Sequence, residues 1–161
     1  MITFNNERQM TTLKQKKVLA VASGGGHWVQ LLRLRPAYSH HDVTFMTTNA
    51  AYAKDVDAPL VTVTDANIWN KLGLLRMFSE VFMHLLRIRP DIVITTGAAP
   101  GFAAVVLSRL FGARTIWVDS IANSEELSNS GKQAGRVAHV WLTQWEHLAK
   151  PDGPQFWGAV L

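Results

Sequence analysis

The sequence contains no cysteine and no apolar run long enough to form a membrane-spanning helix. Without cysteine the chain has no disulfide, no thiolate metal ligand and no thiol nucleophile, and this composition fits a reducing compartment. A spanning helix needs about 20 consecutive apolar residues, and the sequence has no such stretch. Residues 1–17 are polar and basic and lack the apolar segment of a signal peptide. We therefore expect neither secretion nor a spanning anchor.

The sequence also lacks any block of five or more like charges, so it predicts no basic tail. Its net charge is nevertheless +4, which suits nucleic acid, anionic lipid headgroups or phosphorylated ligands equally well, and which a merely soluble basic protein also shows. The chain has 161 residues, 48% of them hydrophobic. These totals predict one domain with a substantial core. We assign residues 1–16 to a polar extension and residues 17–161 to that domain.

Short apolar and β-branched runs alternate with helical patterns along the chain. The predicted strands are residues 18–22, 42–48, 60–64, 91–96, 114–118 and 137–143. The predicted helices are residues 28–35, 71–89 and 102–111, with a short further helix where Asn123 and Glu126 have the spacing of a capping box. This alternation indicates an α/β fold, a single Rossmann-like, doubly wound parallel sheet. The loops 23–27, 96–101 and 119–123 then meet at the edge of the sheet where ligands bind.

The first of these loops is rich in glycine. The apolar run 18–22 ends in Ser23, three glycines follow at positions 24–26, and a helical pattern begins at His27. Glycines let backbone N–H groups approach an anion closely, and the positive end of a helix dipole favours negative charge. The loop therefore predicts an anion site, and a purely structural glycine turn is the alternative.

Two common nucleotide motifs are absent from this loop. No Gly-Lys-Ser/Thr follows it, so it is not a Walker A loop. Counted from Gly24, the third glycine of a dinucleotide fingerprint would fall at position 29, which is Val29. No acidic residue follows the second strand to bind a ribose. A nicotinamide-dependent enzyme is therefore disfavoured, and we expect no cofactor.

His27 and Asp119 are the candidates for proton transfer. His27 lies where the loop meets a helix, and the positive end of the dipole favours the neutral, basic form of an imidazole. A histidine that only bonds the loop or a phosphate is the alternative. Asp119 follows the apolar run 115–118, so we expect it at the carboxyl end of the fifth strand. Hydroxyl groups that can either bind a ligand or stabilise a turn belong to Thr95, Thr96 and Ser120.

The other histidines do not predict a metal site. His40 and His41 fit a solvated turn, and His84, His139 and His147 have no ligand spacing with one another. We therefore expect no metal ion.

Residues 71–89 form the longest helical pattern, and its apolar side is wide. At about 100° per residue, Arg76, Glu80, His84 and Arg87 share one narrow polar face, while apolar residues cover roughly two thirds of the circumference. The excess must contact a neighbouring helix, a partner subunit or a membrane, and flanking basic residues suit anionic headgroups. The residues that we select for such contacts are Phe78, Phe82 and Arg87 on this helix, with Phe156 and Trp157 in the apolar segment 156–161.

Five segments together resemble one known family. They are ASGGGHWVQLLRL (residues 22–34), PDIVITTG (90–97), IWVDS (116–120), LSNSGK (127–132) and QWE (144–146). In order and spacing they are similar to the acceptor-side subunits of two-part GT-B glycosyltransferases. This family comprises the membrane subunit of the dolichol-pathway N-acetylglucosaminyltransferase and its bacterial capsule and exopolysaccharide relatives. A more distant likeness is to the N-terminal half of the peptidoglycan lipid-intermediate N-acetylglucosaminyltransferase.

The resemblance implies the acceptor-binding half of an inverting GT-B enzyme. Such an enzyme moves a sugar from a UDP-sugar to a lipid-diphosphate-linked saccharide, here in bacterial exopolysaccharide or capsule biosynthesis. A donor-binding glycosyltransferase subunit would supply the other half, with the active site in the cleft between the two chains. The implied location is cytoplasmic, peripheral on the inner face of the cytoplasmic membrane, and no nucleic-acid partner is expected.

The resemblance also assigns roles to residues. His27 looks like the base that deprotonates the acceptor hydroxyl, and Asp119 like its orienter or an alternative base. The residues implied for the acceptor diphosphate are Ser23, Gly24, Gly25, Gly26, Thr96 and Gly97. Ser120 and Asn123 would line the rest of the cleft.

Two departures from the family pattern matter. Eukaryotic members carry an N-terminal membrane helix that this sequence lacks, so membrane contact would be peripheral or come through the partner. Position 30 is Gln30, as in the bacterial pattern, so it offers no acidic base. Two alternatives of other classes stay open, namely a non-catalytic scaffold for a partner transferase and a stand-alone nucleotide-binding enzyme.

Overall fold

The computed structural model describes residues 14–67 and 69–160. Residues 1–13, most of the predicted polar extension, lie outside this part. The strands are β1 (Lys17–Val21), β2 (Asp42–Thr47), β3 (Leu60–Thr62), β4 (Ile92–Thr95), β5 (Arg114–Val118), β6 (Val140–Thr143) and β7 (Gln155–Phe156). The α-helices are α1 (Gly26–Arg33), α2 (Lys71–Ile88), α3 (Ala98–Ser108) and α4 (Asn129–Ala134). Short 3₁₀ helices span Arg35–Ala37, Ala50–Asp55, Arg109–Phe111 and Glu146–Leu148.

The seven strands form one parallel sheet in the order β3-β2-β1-β4-β5-β6-β7. The predicted α/β fold with a parallel sheet is therefore confirmed. β1 and β4 are neighbours at the centre, with Val21 opposite Thr95. Because both strands run in the same direction, the loops that follow them lie side by side at the carboxyl edge.

Side chains of β1 alternate between two buried layers. Leu19 and Val21 pack with α2 and α3 through residues such as Met77 and Ala104. Val18 and Ala20 face the opposite layer, where they form one buried cluster with Trp28 and Leu31 of α1 and Phe45 of β2. Residues Val18–Val21 are all apolar and buried, so both faces of the sheet are covered at its centre.

Both helices at the carboxyl edge begin earlier than the sequence pattern predicts. α1 begins at Gly26 instead of residue 28, and α3 begins at Ala98 instead of residue 102. The positive φ angles of Gly97 (122°) and Ala98 (65°) turn the chain into α3 directly after β4. Each loop is therefore short, and the N-terminus of its helix lies close to the carboxyl end of the preceding strand.

The region after β5 differs from the prediction. Asn123 does not cap a helix; α4 begins at Asn129 and its cap is Ser128, whose hydroxyl accepts from Gly131 N–H. β6 begins at Val140 instead of residue 137, because the N–H groups of Val137 and Ala138 bond to Ala134 and close α4. Asn123 and Glu126 have the spacing of a capping box, but no helix begins there. The contacts of Ser128 with Asp119 and Gly131 determine where α4 starts.

The bounds of α2 closely match the predicted range. Its apolar side chains form two sets, one packed within the domain and one facing solvent. Met77, Val81 and Leu85 are buried against the sheet. The predicted contact residues Phe78 and Phe82 are half-buried: Phe78 packs on the core and Phe82 on Phe111, at 5.7 Å between ring centroids. Both side chains thus contribute to the packing of the domain, and their membrane or partner contact stays a prediction.

A different set of apolar residues on and next to α2 faces solvent. The exposed members are Trp69, Leu72, Leu75, Met83 and Leu86. In helical projection the four on α2 lie opposite the buried residues Met77, Val81 and Leu85. We call these five residues the α2 stripe. In the described part of the chain, no helix is long and apolar enough to cross a bilayer.

Gly101 provides a test of how tightly α3 packs on β4. A Cβ atom at this position would overlap Thr95 Oγ1 and lie 3.1 Å from Thr95 Cβ. We predict that Gly101→Ala lowers the free energy of unfolding by about 1–3 kcal/mol, the usual effect of overpacking. Urea denaturation measures it. Gly26→Ala is the matched control, because its Cβ would meet nothing closer than 3.9 Å, and equal stability of the two variants would contradict this packing.

Candidate functional site

The glycine loop joins β1 to α1 and is held from β2. Ala22 N–H donates to Met46 O, and Thr47 Oγ1 donates to Ser23 O at 2.8 Å. Gly25 is the residue that precedes α1, and its φ of 59° is a conformation that favours glycine. Among the described residues no side chain caps α1. Its first-turn N–H groups, of Gly26, His27 and Trp28, find no acceptor in the described part of the chain.

The loop after β4 repeats this arrangement beside it. Gly97 N–H donates to Thr95 Oγ1 at 3.1 Å, and α3 has no side-chain cap from the part of the chain that the structure describes. The N–H groups of Ala98 and Ala99 find no acceptor among residues 14–67 and 69–160. Two uncapped helix N-termini thus lie at adjacent strands of the same sheet edge. Each carries about half a positive charge, so together they favour a ligand with more than one negative charge.

His27 and Thr96 join the two loops by reciprocal hydrogen bonds. Thr96 Oγ1 donates to His27 O at 2.7 Å, and His27 Nδ1 lies 2.8 Å from Thr96 O. A carbonyl oxygen only accepts, so Nδ1 carries a proton, and in the neutral ring Nε2 is left with its lone pair free. The half-buried imidazole is therefore oriented for proton abstraction at Nε2.

Gly97 leaves the space that this imidazole occupies. A Cβ atom on Gly97 would lie 3.0 Å from His27 Cε1, and its φ of 122° is in any case unfavourable for other residues. The sequence prediction that His27, Thr96 and Gly97 meet at one edge is thus matched by direct contacts. Ser23, Gly24 and Gly25 lie in the first of these loops, and Gly26 is the first residue of α1.

The Asp119 carboxylate is hydrogen-bonded to Ser128. Its side chain is buried, Oδ2 accepts from Ser128 N–H at 2.9 Å, and Oδ1 accepts from the Ser128 hydroxyl at 2.6 Å. Ser128 in turn caps α4. His27 Nδ1 is held by the Thr96 carbonyl and not by Asp119, and the role of Asp119 as an alternative base stays a prediction. Asp119 fixes the segment between β5 and α4.

Ser120 is likewise engaged within the protein. Its buried hydroxyl oxygen accepts from Gln30 Nε2 at 3.0 Å and from Ala122 N–H at 3.3 Å. The Asn123 N–H donates to Ser120 O, and the Asn123 side chain is half-buried. Ser120 therefore stabilises its turn, the second of the two roles that its sequence position allowed.

A buried amide pair, Gln30 and Gln144, lies beneath the glycine loop. Gln144 Nε2 donates to Gln30 Oε1 at 2.7 Å and to Asp119 O at 3.0 Å. Gln30 Nε2 donates to Gly26 O at 3.2 Å, and Gln30 Oε1 also accepts from Ile121 N–H. Sequence reasoning missed both residues. The separation of four between Gly26 and Gln30 was the available signal, since it places them on one helix face.

The predicted partner contacts near β7 are partly exposed. Phe156 is 38% and Trp157 69% exposed. The following segment is anchored, because Val160 N–H donates to Gln144 Oε1 and Val160 O accepts from Arg33. This segment closes one side of an apolar cavity of about 330 Å³. The cavity also contacts Ile94, Ile116 and Leu142 of the sheet, and no helix separates them from it.

No group of three or more His, Asp or Glu side chains in the described residues is placed to hold a metal ion. His139 bonds through Nδ1 to Thr115 Oγ1 at 2.9 Å, and burial together with Arg109 and Arg114 lowers its pKa. His147 Nε2 lies 2.7 Å from Ser124 O. His139 thus links β5 to the start of β6, and the exposed His147 contacts the segment after β5.

Comparison with known proteins gives one sequence relative. No protein-family model matches the chain. The chain is 24% identical, over 181 residues, to the UDP-N-acetylglucosamine transferase subunit ALG14 of Eremothecium gossypii. The match covers 91% of this chain and 80% of that protein.

Solved structures share the fold. Acinetobacter baumannii MurG superimposes with a TM-score of 0.69 at 16% identity, over 84% of this chain and 43% of MurG. A structure of S. aureus MnaA with UDP gives a TM-score of 0.61 at 13% identity, over 81% of this chain and 38% of MnaA. The chain thus spans less than half the length of these two proteins. It has the fold of the Rossmann-like half of GT-B glycosyltransferases such as MurG.

Proposed function

We propose that this chain is the acceptor-binding subunit of a heteromeric, inverting glycosyltransferase. With a donor-binding partner subunit it transfers a sugar from a UDP-sugar to a lipid-diphosphate-linked saccharide in bacterial exopolysaccharide or capsule biosynthesis. The observation that carries the proposal is the pair of uncapped helix N-termini joined by His27 and Thr96. The sequence relative supports it, since that protein is named as a transferase subunit.

The two N-termini match the charge of a diphosphate. The free N–H groups at the start of α1 and those at the start of α3 would each donate to one phosphate, and each helix dipole adds about 0.3–1 kcal/mol. The site lacks an acidic side chain that could bind the ribose of a nucleotide, because the residue at the corresponding place after β2 is Asn49. Its side chain accepts from Ala51 N–H instead. We therefore assign the diphosphate of the acceptor to this chain and the nucleotide-sugar to the partner.

His27 is the proposed base. With Nδ1 held by the Thr96 carbonyl, Nε2 takes the proton of the acceptor hydroxyl. The resulting oxygen nucleophile attacks the anomeric carbon of the sugar as its bond to UDP breaks, and displacement from the opposite face inverts the configuration. The helix N-termini hold the acceptor diphosphate during this step, so the reacting hydroxyl stays near Nε2.

The α2 stripe is the proposed membrane contact. Trp69, Leu72 and Leu75 are 87%, 80% and 67% exposed, which is unusual for apolar side chains of this size. Arg76 and Arg87 flank the stripe on one side and suit anionic headgroups. We propose this surface in addition to the predicted contact through Phe78, Phe82 and Arg87. It supports peripheral association with the inner face of the cytoplasmic membrane.

His27→Ala tests the catalytic assignment. In a complex co-expressed with the donor subunit, we expect turnover to fall by about 10²–10⁴-fold, because the variant lacks the general base. The complex should still assemble. Radiolabelled transfer from the UDP-sugar measures turnover, and His40→Ala is the matched control, since His40 is exposed on another loop.

Three outcomes of this assay contradict the proposal. Robust transfer by the chain without a partner would exclude a two-subunit enzyme. Near-normal turnover of His27→Ala would leave Asp119 as the better base, despite its bonds to Ser128. Full partner-dependent activity of variants in both glycine-containing loops would support a non-catalytic scaffold.

Charged substitutions in the α2 stripe test the membrane contact. We expect the double variant Leu72→Glu/Leu75→Glu to lose most flotation with anionic liposomes. Burial of a leucine side chain is worth about 1.5–3 kcal/mol, and each glutamate also adds repulsion from the headgroups. Leu110→Glu is the matched control, because Leu110 is 73% exposed but lies in the turn after α3. Unchanged flotation of the double variant would exclude this surface.

A further inference from the structure

The side chain of Tyr52 lies over the glycine loop, although it belongs to another part of the chain. It is in the 3₁₀ helix Ala50–Asp55, which follows β2 and is capped by Asn49. Gly25 N–H donates to Tyr52 Oη at 3.0 Å. A Cβ atom on Gly24 would lie 3.3 Å from the same oxygen. The phenol is thus the only side chain in the described residues that accepts from this part of the glycine loop.

Aromatic packing fixes the position of this phenol. The Tyr52 ring stacks on the Trp28 indole, with 4.9 Å between centroids and 7° between planes. Trp28 is 2% exposed and contacts Phe45 edge-on. Its Nε1–H donates to Asp55 Oδ2 at 3.0 Å, at the far end of the helix that carries Tyr52. Tyr52 is therefore held between its own helix and α1, and the hydroxyl needs no reorganisation to stay at the loop.

The direction of the hydrogen bond leaves one donor free. An amide N–H only donates, so the phenol oxygen accepts from Gly25 and its own proton points elsewhere. Among residues 14–67 and 69–160 this O–H finds no acceptor. The N–H groups of Gly26 and His27, one and two residues further along, also find no acceptor in the described residues. Next to the glycine loop a ligand would thus meet three hydrogen-bond donors, namely the N–H groups of Gly26 and His27 and the phenol O–H of Tyr52.

We propose that Tyr52 is a phosphate-binding residue of the acceptor site, an inference that rests on the proposed function. The phenol accepts from Gly25 N–H and donates its proton to a phosphate oxygen of the lipid diphosphate. Gly25 N–H does not bind the ligand, and the Gly26 and His27 N–H groups do. Tyr52 positions the diphosphate and takes no part in proton transfer at the acceptor hydroxyl.

The opposite arrangement would have the phenol occupy the place of a phosphate oxygen and leave when the ligand binds. That movement would break the stack on Trp28, while the observed packing keeps the ring at the loop. The two arrangements predict opposite effects of removing the hydroxyl. If the phenol donates to the ligand, its loss weakens binding, and if it competes with the ligand, its loss strengthens binding.

Tyr52→Phe keeps the ring and removes only the hydroxyl. The experiment titrates inorganic pyrophosphate into the ¹⁵N-labelled full chain and follows backbone amide shifts. For the wild type we expect shifts at Gly26 and His27 and little at Gly25. For Tyr52→Phe we expect about tenfold weaker binding, the usual loss of a hydrogen bond to a charged group, and a Gly25 amide that now responds. Tyr38→Phe is the control, because its buried hydroxyl bonds Leu31 O.

A kinetic readout complements the titration. In the complex with the donor subunit, Tyr52→Phe should raise the KM for the lipid diphosphate about tenfold and leave kcat within about twofold. Pyrophosphate binding by Tyr52→Phe as tight as that of the wild type, or tighter, would overturn the role of Tyr52 alone. Absence of any shift at the glycine amides of the wild type would overturn it together with the acceptor diphosphate site.

Discussion

The reciprocal hydrogen bonds between His27 and Thr96 are the contact on which the candidate site depends. They tie the loop after β1 to the loop after β4, so the two helix N-termini cannot separate without breaking both bonds. The same contact selects the Nδ1-protonated form of the imidazole. One pair of side chains thereby determines the spacing of the two helix N-termini and the direction in which Nε2 faces. Gly97 contributes by leaving room for the ring.

The polar residues around this contact divide into two groups. Asp119, Ser120, Gln30 and Gln144 direct their hydrogen bonds inward and hold the segments after β5 and β6 against α1. Buried polar groups cost free energy unless they are paired, so a connected network of this kind specifies one arrangement of the loops. The free backbone donors, Nε2 of His27 and the hydroxyl of Tyr52 remain for a ligand. The groups that remain free are therefore one candidate base, the His27 imidazole, and a set of hydrogen-bond donors that suit an anion.

Much of the fold could be predicted from the sequence, because apolar strands and glycine or proline boundaries are local signals. The strands β1, β2, β4 and β5 lie within about one residue of their predicted ranges. The start of α4 could not be predicted, since it depends on Ser128 meeting Asp119, nine positions away. At the site, the glycine loop and His27 were identified from sequence. Tyr52 was missed because its contact with Gly25 joins residues 27 positions apart, and a lone tyrosine in a polar segment gives no periodic signal.

The central claim is that this chain holds the acceptor diphosphate and leaves the nucleotide to a partner. Isothermal titration of the isolated chain measures this most directly, with a short-chain lipid-diphosphate saccharide in one series and UDP, NAD and ATP in parallel series. The account predicts saturable binding of the lipid diphosphate and weak or no binding of the three nucleotides. Binding of UDP to the isolated chain as tight as that of the lipid diphosphate would contradict it, and would indicate a nucleotide site at the glycine loop.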